Sequence, residues 1–226
     1  AASGSEPVRH IRPPLRRPCA VQLGPLPPLT GGMASVCENL RRSDLSRRYR
    51  LVALQTGKTT AEDRCPARGV LAQVCLVARV GRACWNLSPT VAHVHTCSGF
   101  TFWRDVLLAT KARFAGAKVL WHVHGAEFDR FAFALRPIGR ALLTAALHNA
   151  SGVVVLSEHW VRRLLPLAPR ARWRVVHNAV PLASDLPDRG TGPADALFLG
   201  DLSDRKAATD LVAAGGTQVL LQGGLN

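Results

Sequence analysis

The chain has 226 residues, 47% of them apolar, and a formal net charge of +14. That apolar fraction is ample for a packed core and excludes wholesale disorder, while the length allows one large domain or one domain plus part of another. The 29 basic residues, all but Lys58, Lys111, Lys118 and Lys206 being Arg, fit either a biased composition or a polyanionic neighbour such as an anionic membrane surface or a phosphorylated substrate. They are scattered and carry no aromatic interleaving, so no nucleic acid is expected as a partner.

Residues 1–18, with Arg9, Arg12, Arg16 and Arg17 among prolines, are expected to form a disordered basic leader without a secretory apolar region. Ala20–Leu23 reads as the first strand. A loop ending in Gly31-Gly32 follows it, and a helical pattern opens at Met33 with Val36, Leu40 and Leu45 on one stripe. Arg50–Leu54 is the second strand. Helix, strand and helix then fit Val70–Cys84, Val91–His95 and Phe102–Phe114, and Lys118–His124 reads as a buried strand. Ile138–His148 and Glu158–Leu165 are helical, alternating with strands at Gly152–Leu156 and Trp173–His177. Strands separated by helical runs of this length predict an α/β fold, a doubly wound parallel sheet with helices on both faces.

Pro181–Pro193, rich in Pro, Gly and Asp, reads as a linker. It separates a domain at 19–180 from an incomplete second one at 194–226, with strands at Ala196–Leu199 and Gln218–Leu221 around a helix at Lys206–Ala213. No apolar stretch reaches the length of a membrane span. The six cysteines, at 19, 37, 65, 75, 84 and 97, form no C-x-x-C pair and no zinc spacing. A reducing, cytoplasmic setting is therefore expected, with peripheral contact at the inner face of the membrane as a further option.

Three features carry chemistry. Gly31-Gly32, between a strand and a helix, lets the backbone approach a ligand and aims helix amides at an anion; a plain tight turn is the other reading. His93/His95 and His122/His124 are two H-x-H pairs at strand ends, each placing two imidazoles on one face. They fit a metal-dependent hydrolase, which would need a carboxylate such as Glu127 or Asp129. They also fit polar strand ends held by loop hydrogen bonds, or a substrate pocket around His124. Arg205-Lys206 precedes a helix, where cations reinforce phosphate binding or simply face solvent.

Taken together, Gly31-Gly-Met-Ala-Ser-Val-Cys-Glu-Asn-Leu40, His93-Val-His-Thr with Phe102-Trp-Arg, Trp121-His-Val-His-Gly-Ala-Glu-Phe-Asp129, Val153-Val-Val-Leu-Ser157, Val176-His-Asn-Ala-Val-Pro181 and Leu197-Phe-Leu-Gly-Asp-Leu-Ser-Asp-Arg-Lys206 resemble the ordered motifs of glycosyltransferase family 4. The resemblance implies a GT-B fold, of which 19–180 would be the acceptor-side Rossmann-like domain. It implies retaining, metal-independent transfer from a nucleoside-diphosphate sugar to a lipid-linked or cell-surface polysaccharide acceptor, with no cofactor. Gly31 and Gly32 would border the donor diphosphate, and Arg205 and Lys206 would neutralise it as it leaves. His124 would contact the sugar, with Glu127 and Asn178 near the pocket. The chain differs from the family pattern at Asp201, where an Arg is usual, and at Asn178-Ala179, where Asn-Gly is usual. It stops before the Glu-x7-Glu segment, so the chain as given is expected to be truncated and inactive. A non-catalytic acceptor- or partner-binding remnant is the alternative from another class.

Overall fold

The computed structural model describes residues 17–29, 31–57, 66–125, 127–179, 196–199 and 219–222. The chain divides into two compact units, Ala1–Pro181 and Leu182–Asn226. The first contains β1 (Cys19–Gly24), α1 (Gly32–Arg42), α2 (Leu45–Arg48), β2 (Arg50–Gln55), α3 (Pro66–Leu87), β3 (Val91–Thr96), α4 (Phe100–Phe114) and β4 (Lys118–Val123). It continues with α5 (Phe128–Ala134), α6 (Pro137–His148), β5 (Gly152–Val155), α7 (Glu158–Leu164) and β6 (Trp173–Val175). In the second unit β7 (Ala196–Leu199) and β8 (Val219–Gln222) pair in parallel. The helix expected at 206–213 lies outside the described residues.

The first unit is the predicted doubly wound α/β fold: six parallel strands in the order β2-β1-β3-β4-β5-β6. The step from β1 to β2 runs one way across the sheet, and every later step runs the other way. Right-handed crossovers therefore put the first helix on one face and the later ones on the opposite face. The core agrees. Val21, Val94, Trp121 and Val153 pack with Val80 of α3, Phe102 and Leu108 of α4, Phe128 of α5, Leu143 of α6 and Leu164 of α7. Phe102 stands 5.6 Å from the Trp121 ring, whose indole N–H donates to the Ala146 carbonyl of α6. The second face meets α1, where Gln22 Nε2 donates to the Cys37 carbonyl.

The two faces differ in chemistry. Parallel register places Gln22 beside His93, His93 beside Leu120, His95 beside His122 and His122 beside Val154. Alternation then sends these side chains to the α1 face, opposite the apolar cluster. A parallel sheet of this type is expected to be apolar on both sides; here one side carries a polar stripe across three strands.

Two helices go beyond the sequence expectation. Phe128, Phe131 and Ala132 mark α5 at helical spacing, with Phe128 and Ala132 fully buried, and α3 starts four residues before Val70 with Pro66 in its first turn, where the missing N–H is harmless. Phe102 sits at the centre of the core, ringed by Trp103, Trp121, Phe128 and Phe131. Phe102→Ala is expected to lower stability in urea by about 3–5 kcal/mol. Trp85→Ala, at a site 71% exposed, should change it by less than about 0.5 kcal/mol.

Candidate functional site

The strand order reverses at β1, which puts the switch point between the carboxyl ends of β1 and β3; such crevices are where open α/β sheets bind ligands. Gly24 ends β1 there. A Cβ on Gly24 would meet Cys37 Sγ at 2.7 Å and His95 Cβ at 3.2 Å, so only glycine lets α1 and β3 approach this strand end. Beyond the loop, Gly31 takes φ 131° and ψ 161° as the N-cap of α1. A side chain there would meet open space; it is the backbone angle that requires glycine. No side chain caps α1. Its first amides therefore lack an intrahelical partner and face the loop with the positive end of the helix dipole. Gly32 is the first helical residue and is equally open.

The two H-x-H pairs become one cluster. Ring centroids of His93, His95, His122 and His124 stand 4.0 to 5.3 Å apart over five pairs. His93 Nε2 lies 3.2 Å from His122 Nδ1, and His95 Nδ1 lies 2.9 Å from His124 Nε2. Gln22 fixes the second pair's protons. Its Nε2 is 3.0 Å from the Cys37 carbonyl oxygen, so that atom is the amide nitrogen and donates. The same nitrogen is 3.2 Å from His95 Nε2, which must accept. His95 then carries its proton on Nδ1 and donates it to His124 Nε2. His124 is left with a proton on Nδ1, so the ring beyond the end of β4 offers a hydrogen-bond donor.

Burial keeps the rings uncharged. It pushes His93 down to about 4, with His124 adding repulsion, and His124 to about 4. Burial first, then the neighbouring imidazoles, takes His122 to about 2 and His95 well below the ordinary histidine range. Behind them, burial raises the Cys37 thiol to about 12. The fit is incomplete: Gln22 Oε1 and His122 Nε2 are buried without a hydrogen-bond partner.

The remaining predicted residues separate. Glu127 is the N-cap of α5 and pairs with Arg130, and Asp129 accepts from Arg163 Nε at 3.0 Å. Neither carboxylate joins the imidazoles as a hydrolase would require. Asn178 is exposed and lies one residue before Ala179, whose carbonyl accepts from Asn39 Nδ2 of α1 at 3.1 Å. Arg205, Lys206 and Asp201 lie outside the described residues.

Sequence reasoning missed Gln22 and Asp105. Gln22 alternates with the buried Val21 and Leu23, the mark of a polar face. Asp105 falls on the buried stripe of Phe102, Leu108, Ala109 and Ala112, a place where a carboxylate signals a specific partner. It is 1% exposed, and Arg104 reaches its Oδ1 at 2.8 Å while also donating to the Thr56 carbonyl. Burial pushes its pKa up to about 6 against the pull of Arg104.

A scan against protein-family models finds no match to this chain, and a search of the curated proteins finds none either. Its function has to be argued from the residues themselves.

The shifts fix how stability depends on pH. Unfolded histidines take up protons near 6.5, whereas the folded rings resist until about 4 or below. Their contribution is complete above 6.5 and is lost as pH falls from there towards 4. Asp105 acts in the opposite sense between about 6 and 3.8, but it is one group against four. The melting temperature is therefore expected to fall by roughly 5–10 °C between pH 7 and 4.5. In scanning calorimetry Asp105→Asn should steepen that fall, and His124→Gln should flatten it.

Proposed function

We propose that this chain is the acceptor-side part, with the opening of the donor side, of a family-4-type glycosyltransferase that moves a sugar from a nucleoside diphosphate without a metal cofactor. The observation carrying this reading is the hydrogen-bonded line from α1 to His124, running through the Cys37 carbonyl, Gln22 and His95. It ties the middle of α1, a helix whose N-terminus is uncapped, to an imidazole donor on the same sheet face.

The chemistry follows from those two groups. The α1 amides and the open backbone at Gly31-Gly32 suit the oxygens of a diphosphate. His124 Nδ1–H suits a sugar oxygen, and a donor held in a dry, fixed position stabilises charge that grows as the anomeric bond breaks. The ring is neutral, so it orients and polarises without contributing a proton. The departing phosphate oxygen takes the acceptor hydroxyl's proton. Front-face attack beside the leaving group retains the anomeric configuration.

A lipid-linked acceptor is supported on the other face. Val70, Val74, Val77, Phe100, Trp103 and Leu107 line an apolar groove of about 720 Å³ between α3 and α4, with Arg104 and Lys111 beside them. Val70, Val74, Phe100 and Leu107 are 56 to 67% exposed. Both helices begin at the carboxyl edge, so an acyl or prenyl chain in this groove keeps its head group near the strand ends. Among the described residues no helix is long and apolar enough to cross a membrane; peripheral contact would use this groove and the basic charge.

The test is calorimetric titration of the chain with a panel of nucleoside-diphosphate sugars and with the nucleoside diphosphates alone. Gly31→Val is expected to weaken binding of both by distorting the loop, and His124→Ala to weaken only the sugar-bearing donors. Binding unaffected by both substitutions overturns the assignment. Val74→Asp with Leu107→Asp should abolish co-sedimentation with anionic vesicles and leave donor binding intact.

A further inference from the structure

We infer that His93, His95 and His122 form a binding site for one divalent transition-metal ion of the zinc or copper(II) class. One ligand nitrogen from each ring lies within 4.8 Å of the other two. For tetrahedral zinc at 2.0–2.1 Å per bond, adjacent ligand nitrogens stand about 3.3 Å apart. The His93 ring centroid lies 4.3 Å from that of His95 and 5.3 Å from that of His122, so the three rings are already gathered at one point of the sheet face.

A second, independent observation points to a ligand. His122 is 5% exposed, and its Nε2 is buried with no hydrogen-bond partner. That nitrogen is a strong metal ligand left unused, at a cost of about 1–3 kcal/mol.

The ligand set selects the ion. Three imidazoles and no carboxylate disfavour Mg²⁺ and Ca²⁺, which take oxygen ligands, and suit zinc and copper, which take imidazole. Three protein ligands leave one coordination position for water or an anion, the pattern of an open site. His124 lies outside the triad, so metal binding and a sugar-contacting role for His124 are separable. The inference does not depend on sugar transfer.

The experiment uses the whole 226-residue chain, stripped with chelator and titrated with ZnCl2 by calorimetry and with CoCl2 by visible absorption. Saturable 1:1 binding is expected, with intense tetrahedral cobalt bands that Zn²⁺ displaces and millimolar Mg²⁺ does not. His122→Gln is expected to weaken zinc binding about 10- to 100-fold, whereas His159→Gln, at an exposed position, should leave it unchanged. Should His122→Gln fail to fold, the wild-type cobalt spectrum still decides: only the weak octahedral bands of a surface-bound ion would overturn the site. Absence of 1:1 zinc binding, or equal loss in His159→Gln, would overturn it as well. Because the readout is metal occupancy, either result leaves the donor-binding assay to be judged separately.

Discussion

Four imidazoles, with five of their pairings at 4.0 to 5.3 Å, can share a sheet face only if they are uncharged, and the site depends on that constraint. Two protonated rings at this distance in a half-dry environment would repel by several kcal/mol. Burial resolves the conflict by favouring the neutral form of each. Neutral imidazole is amphoteric in hydrogen bonding, one nitrogen donating and the other accepting, so the rings can pair with each other instead of needing counter-ions. The direction of the His95–His124 pair is then set from outside, by a carbonyl on α1 acting through Gln22. A helix main chain thereby decides which atom of a ring two strands away carries a proton.

The same constraint explains the asymmetry of the sheet. Apolar side chains on both faces would bury more surface, and the α3–α7 face does this with Trp121, Phe102 and their neighbours. On the α1 face the strands keep Gln22, three buried or half-buried histidines and two unsatisfied polar atoms. Polar groups retained against the direction of packing mark where function and folding compete. They sit beside the switch point, where the topology alone would place a ligand.

Much of this was legible in the residues. Apolar runs bounded by helical stripes define each strand of the first unit, and the H-x-H alternation already puts each histidine pair on one face. What local pattern does not contain is register. That His95 lies beside His122 depends on which residue of β3 meets which of β4, and nothing in either segment encodes the offset, so two pairs could not be recognised as a quartet. The stripe of Phe128, Phe131 and Ala132 was obscured by the charges of Glu127, Asp129 and Arg130, which gave the segment the look of a loop. Asp105 was hidden for the converse reason: beside Arg104 it resembles a solvated pair, and only its place on the buried stripe betrays it.

Cys37 has a practical consequence. Its side chain is fully buried where α1 lies against Gly24 and His95, and a thiol held near 12 is almost entirely in the unreactive protonated form at neutral pH. Alkylation can reach it only during moments when α1 lifts from the strand ends, whereas the exposed Cys75 reacts without waiting. The ratio of the two labelling rates is thus an intrinsic clock for local opening of the helix that shelters the histidines. It measures how often that corner of the protein breathes without any probe being introduced.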